Sequence, residues 1–314
     1  MPNIWAHIQF GREFLAERTD PLPDDPAWRR AFQLGCQGPD FLFYHRFLPW
    51  QQATALNRLG SLMHGTRCGP FLLSLFERML GRGEADPVVG FALGFLMHHI
   101  LDRHLHPFVF SRSGFRKWHH QRFETAMDAV VMHRRAGIRT GYVPVAPEID
   151  TGGGLPGGFA AELLGIVREH YPVLAERIAP EQLDEAVRDM IRAQRLFFDP
   201  KGWKGWLLFG QIAPFSPPRE LPDWEVLNDA RRPWVDPTDR TVFHTDSAED
   251  LWDAALADAR VTGGAGLAWL RAGDGPGAAA LREEFAARLG DFSYETGRPC
   301  GTAVITYAES VVPV

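Results

Sequence analysis

The run from His98 to Glu124, HHILDRHLHPFVFSRSGFRKWHHQRFE, sets imidazoles and carboxylates inside segments whose apolar residues recur at helical spacing. His98 and Asp102 are four residues apart, as are Asp102 and His106, and His120 and Glu124. Residues four apart on an α-helix project from nearly the same face, so two such helices can aim five donors into one space. A single pair of this kind is a common surface feature. Concentration changes its meaning: of 12 histidines, only His170 and His244 lie beyond His133. Mixed imidazole and carboxylate donors without cysteine suit zinc, or another borderline divalent ion such as manganese or iron. The competing reading is a polar helix bundle that holds no metal.

The rest of the chain supports an all-α body. Apolar residues recur three and four apart near 26–35, 51–64, 69–81, 86–106 and 115–136, and alternating stretches are scarce. Asp86 followed by Pro87 is a helix start, and Pro107 is expected to end the same helix directly after His106. The Gly- and Pro-rich stretch RTGYVPVAPEIDTGGGLPGG follows, then helical patterns near 157–170 and 179–197, a proline-rich segment over 215–250, and two closing helices over 250–270 and 278–289. We read 1–314 as a single domain, a helical bundle with long Pro/Gly-rich loops around a buried multi-metal site.

Composition excludes several classes. With 33 Lys and Arg against 39 Asp and Glu, the formal charge is −6, which speaks against a dedicated nucleic-acid surface. Cys36, Cys68 and Cys300 are far apart in sequence and lack CxxC spacing, so neither a disulfide framework nor a thiolate metal site is expected. The amino terminus shows no basic leader with an apolar core, and VVGFALGFLM is too short to span a bilayer, so a cytoplasmic protein with no transmembrane segment is expected.

Further donors sit upstream. His7 follows Trp5, Asp40 lies after a Gly-Pro turn in LGCQGPDFLFY, and His64 closes a helix before Gly65. Taken singly, each suits local structure as well as ligation. Taken in order, WxH, GPD, a helix-ending His, HxxxDxxxHP and HxxxE resemble the zinc-dependent phospholipase C family, related in fold to the fungal single-strand-specific nucleases; the late stretch DFSYETG also resembles that family's carboxyl-terminal region.

The resemblance implies an all-α fold and a zinc cluster that cleaves phosphate esters through a zinc-activated water. Matched by position, the implied ligands are His7, Asp40, His64, His98, Asp102, His106, His120 and Glu124. Asp40, His64, His98 and Asp102 would hold one zinc, and His106, His120 and Glu124 a second. His7 would help hold a third, bridged by Asp102. His98 is preferred to His99, and His120 to His119, by the spacing of four, while His104 stays as the alternative to His106. Secreted members hold the third zinc through the amino group and carbonyl of an N-terminal tryptophan. Trp5 here is internal, and loss of Met1 would expose Pro2, so two Zn2+ are expected and the third is left open.

Asp40 is the expected catalytic residue, as ligand and as the carboxylate that orients or deprotonates the water. Arg67, Arg103, Arg116 and Arg122 are candidate phosphate contacts. Phe41, Phe43, Tyr44, Phe47 and Trp50 form either an apolar wall or ordinary core. His45 and Asp128 are candidate outer partners of the ligands. The expected function is metal-dependent hydrolysis of a phosphodiester or phospholipid head group, with no stable nucleic-acid complex and the oligomeric state left open. A single-strand nuclease and a non-catalytic metal-binding helical scaffold are the alternatives.

Overall fold

The architecture follows from one helix that is buried around its whole circumference. In the computed structural model, which describes residues 3–20, 22–23 and 25–313, the helices before it are α1 (Ile4–Ala16), α2 (Pro26–Gly35), α3 (Ala55–Met63) and α4 (Cys68–Glu77). The central helix, α5, spans Pro87–Ser113, and nearly every residue from Val88 to Asp102 is buried. Asp86 starts it by accepting the Val88 N–H at 2.9 Å, and Gly114 ends it at φ 77°. Helix α6 (His119–Ala136) packs beside it.

Pro107 does not terminate α5 but lies inside it, a correction to the expected end at His106. Proline removes the N–H that would bond the carbonyl of Arg103. That carbonyl instead faces the Cα of Gly297, where a Cβ would lie 2.3 Å away. Tertiary packing therefore occupies the gap that proline opens, and the helix continues for about two more turns.

Helices α2 and α5 approach until backbone meets backbone. A Cβ on Gly94 would stand 2.1 Å from the Phe32 carbonyl oxygen, and one on Gly35 would stand 2.1 Å from that of Phe91. This contact sets the end of α2 beside His98. The chain continues through α7 (Ala146–Ile149), α8 (Ala160–His170), α9 (Pro172–Ala175), α10 (Pro180–Phe197) and α11 (Trp203–Leu207). A two-residue antiparallel hairpin, Trp234–Val235 with Phe243–His244, precedes α12 (Ala248–Ala272) and α13 (Ala278–Leu289). The fold is an all-α bundle whose main buried core runs from Ile4 to Val312. Among the described residues, no helix is long and apolar enough to cross a membrane.

Candidate metal centre

Three turns of α5 carry three donors inward, because residues four apart rise about 6 Å along one helix face. His98, Asp102 and His106 are all buried. Helix α6 adds His120 and Glu124, α1 adds His7, the 3-10 turn Gly38–Tyr44 adds Asp40, and His64 caps α3. Donor atoms gather in three groups, each within 4.8 Å: His7 with His98 and Asp102, Asp40 with His64 and His98, and His106 with His120 and Glu124. Asp102 stands outside the Asp40 group. Its oxygens lie 3.0 Å from His98 Nε2 and 3.4 Å from His7 Nε2, so it joins the first group through His98.

The outer ring nitrogens explain the orientation of the inner ones. His64 Nδ1 meets the Gly60 carbonyl at 2.7 Å, His98 Nδ1 the Cys36 carbonyl at 3.1 Å, and His106 Nδ1 the Tyr294 carbonyl at 2.8 Å. A carbonyl can only accept, so each Nδ1 carries the hydrogen and each Nε2 presents a lone pair to the centre. Two of the carbonyls belong to the last turn of a helix, where intrahelical partners run out.

The residues fit divalent cations. His7 Nε2, His98 Nε2, His106 Nε2, Asp40 Oδ1 and both oxygens of Asp102 are buried and have no hydrogen-bond partner among the described residues. His98 Nε2 and Asp102 Oδ2 are 3.0 Å apart yet lack hydrogen-bond geometry, as two lone pairs converging on a shared cation would. Burial, and then the stacked His98 ring at 4.2 Å, lower the pKa of His7. Burial likewise puts His106 and His120 well below the usual imidazole range. His7, His106 and His120 are thus neutral, which is the ligating form, whereas at His64 burial is outweighed by the Asp40 carboxylate, which raises its pKa. A wholly buried carboxylate with neither hydrogen bond nor cation costs several kcal/mol.

The neighbouring candidates point elsewhere. His104 Nε2 meets Asp258 Oδ2 at 2.9 Å, and His99 packs its ring on Tyr294 at 4.5 Å. His119 faces Ser310. The expected outer partners are displaced too: His45 binds Thr54 Oγ1 at 2.9 Å, with Glu185 on its other side, and Asp128 accepts the Ala6 N–H at 2.6 Å. The expected site residues therefore lie together, whereas His45 and Asp128 do not touch the imidazoles they were expected to orient. Whether Met1 or Pro2 reaches the centre falls outside the described residues.

Asp128 has a separate consequence. Burial pushes its pKa up to about 8, against the Ala6 and Trp5 N–H groups that favour the charge. Its folded pKa thus exceeds the ordinary 3.8, so between about pH 4 and 8 the unfolded chain releases a proton that the folded one keeps. Its contribution to stability falls as pH rises through that window. Asp128→Asn, neutral at every pH and still able to accept from Ala6, is expected to gain Tm relative to the parent from pH 5 to pH 8. A gap that stays constant across this range would remove Asp128 as the titrating group.

Donors sit at the floor of a cleft of about 1050 Å³. Asp40, His64, His106, His120 and Glu124 line it, whereas His7, His98 and Asp102 lie beneath. Its walls include Phe43, Tyr44, Phe47, Phe197, Ile212 and Phe215, while Phe41 belongs to the core. None of the four expected arginines lines it; Arg103 instead binds Asp258 at 2.5 Å and the Leu289 carbonyl at 2.9 Å. Lys117 is the cationic side chain in the wall.

Residues 6–153 match the family described as zinc dependent phospholipase C. This region belongs to that family. No curated protein and no solved structure matches the chain. All eight donors lie within the matched region, and together with the three groups they support a metal-dependent hydrolase. The match stops before DFSYETG, which nonetheless touches the centre. Tyr294 gives its carbonyl to His106, donates its N–H to the His64 carbonyl at 2.8 Å and sets its ring against His98 and His99. Sequence reasoning assigned it no role, because a backbone carbonyl carries no side-chain signature.

Proposed function

We propose that the protein hydrolyses the phosphodiester of an amphiphilic substrate, a phospholipid head group above all. One observation carries the reading: a floor of carboxylates and imidazoles closes a cleft whose walls are largely aromatic and aliphatic. Such a cleft can bury the apolar part of a ligand while a few polar groups fix its orientation. Asp40, His64 and His98 would hold one zinc, His106, His120 and Glu124 a second, and His7 with His98 and Asp102 would contribute to a third. Zinc at these positions would supply Lewis acidity, acidifying water and neutralising charge on phosphate oxygens.

The chain's own groups do the rest. Asp40 lies at the cleft floor, where its carboxylate can orient the attacking water and take its proton. Lys117 can pair with a phosphate oxygen as it enters. The Gly60, Cys36 and Tyr294 carbonyls keep His64, His98 and His106 in the tautomer that turns Nε2 inward. Aromatic walls exclude competing water.

The rim supports a lipid substrate over a nucleic acid. The segment KGWKGWLLFG, 201–210, sends Leu208 into the cleft while Trp206 and Phe209 stand 81% and 92% exposed. Exposed Trp and Phe beside an apolar cleft suit the lipid–water boundary. A single wall lysine is a poor match for a polyanionic strand.

Elemental mass spectrometry on protein purified without chelator should find two to three zinc equivalents. Turnover should then appear on phospholipid vesicles and on a short-chain monomeric analogue, with Trp206→Ser and Phe209→Ser lowering the first and sparing the second. Preferential cleavage of single-stranded oligonucleotides would shift the reading to a nuclease. Stoichiometric zinc without turnover on either class would leave a metal-binding scaffold.

A further inference from the structure

Cys68 and Cys300, remote in sequence and expected to be unconnected, bring their sulfurs to 3.4 Å. Cys36 is buried elsewhere in the core, and its Sγ packs toward Gly11. We propose that Cys68 and Cys300 are an oxidative modification site, which a peroxide converts to an intramolecular disulfide.

The surroundings favour this reaction. Cys300 is half-buried, so a small oxidant can reach it, while Cys68 is buried behind it. Cys68 stands at the first position of α4, and its thiol donates to the Met63 carbonyl at 3.2 Å. Cys300 is held by its N–H bond to the Asp291 carbonyl at 2.9 Å, and Gly301, at φ 76°, lets the chain turn immediately after it. Closing 3.4 Å to a disulfide bond of about 2.05 Å needs a modest movement of each sulfur.

The chemistry balances with the peroxide as oxidant. The Cys300 thiolate attacks one peroxide oxygen and breaks the O–O bond; it becomes a sulfenic acid while the other oxygen leaves as water after protonation. The Cys68 sulfur then displaces the sulfenic oxygen, which departs as a second water, and the S–S bond forms. Two thiols are oxidised, and the peroxide takes up both electrons and both protons.

The link would tie the start of α4 to the segment that serves the metal centre. Between Asp291 and Cys300 lie Ser293, whose hydroxyl donates to the His64 carbonyl at 3.0 Å, and Tyr294, whose carbonyl faces His106. The same thiols also lie within reach of Asp291, as a cation site would. Asp291 Oδ1, however, already accepts the Gly69 N–H at 3.1 Å, and its residue is exposed.

Folded protein exposed to dilute hydrogen peroxide should lose about 2 Da with no gain in oligomer, and peptide mapping should join the two segments. Tm should rise by about 5 °C and return on reduction. Cys36→Ser should keep the cross-link; Cys300→Ser, altering a half-buried side chain, should abolish it. A disulfide-linked dimer, or sulfinic Cys300 with Cys68 still reduced, would overturn the proposal. So would protection of both thiols by added zinc, which would reassign them to a cation. None of these readouts depends on hydrolase turnover.

Discussion

Asp102→Asn is expected to weaken zinc binding by at least about 100-fold and to lower hydrolysis by no less, without unfolding the protein. The carboxylate is fully buried, with its oxygens 3.0 and 3.4 Å from the Nε2 atoms of His98 and His7. An amide keeps the shape but brings only one acceptor oxygen, and its nitrogen donates where a cation would bind. The metal-free protein should respond in the opposite direction. Removing a buried negative charge relieves a desolvation penalty, so the metal-free variant should be as stable as the metal-free parent or more so. Parent protein held at zinc about 100 times its dissociation constant should lose about 2.7 kcal/mol per site on chelation, and the variant much less. Calorimetry with and without chelator, beside metal analysis, separates ligand loss from misfolding. A variant with its full zinc complement and parental turnover would remove Asp102 from the centre.

Gly38→Ala should disrupt the centre although Gly38 is not itself a donor. Gly38 has φ 49°, and a Cβ there would lie 2.1 Å from His98 Cδ2 and 2.5 Å from Cγ. The ring cannot yield, since it is wholly buried and its Nδ1 is held by the Cys36 carbonyl at 3.1 Å. Left-handed backbone costs alanine about 1–2 kcal/mol and overpacking about 1–3 kcal/mol, together about 2–5 kcal/mol. Displacing His98, which is common to two donor groups, should also release metal. Gly81→Ala is the control, because its φ of 78° brings the same backbone strain but no atom lies within 4 Å. It should cost about 1–2 kcal/mol and keep its zinc. Equal losses in the two variants would show that the contact with His98 has no energetic weight.

Much of the helical layout was legible from spacing alone. Apolar residues three and four apart, Asp86 with Pro87 at a helix start, and the closing periodic stretches correspond to α2, α5, α10, α12 and α13. The end of α5 was not legible. Proline is a stop signal in an isolated helix, and only the approach of Gly297 to the Arg103 carbonyl reveals why the chain continues. The centre divides in the same way. Local helical geometry puts His98, Asp102 and His106 on one face, and separates His106 from His104, which turns to Asp258. Local geometry says nothing of Tyr294, 188 residues from the His106 ring that its carbonyl orients.

The sequence by itself determined the all-α class, the order of the donors and the helix faces they share, because these depend on backbone periodicity over a few residues. Tertiary structure alone decided which carbonyl holds each imidazole, that Lys117 rather than an arginine faces the cleft, and that Cys68 meets Cys300. Those relations join residues far apart in the chain. Close packing settles them, through contacts such as the glycine-to-backbone approach of α2 and α5, and no local pattern encodes such an approach.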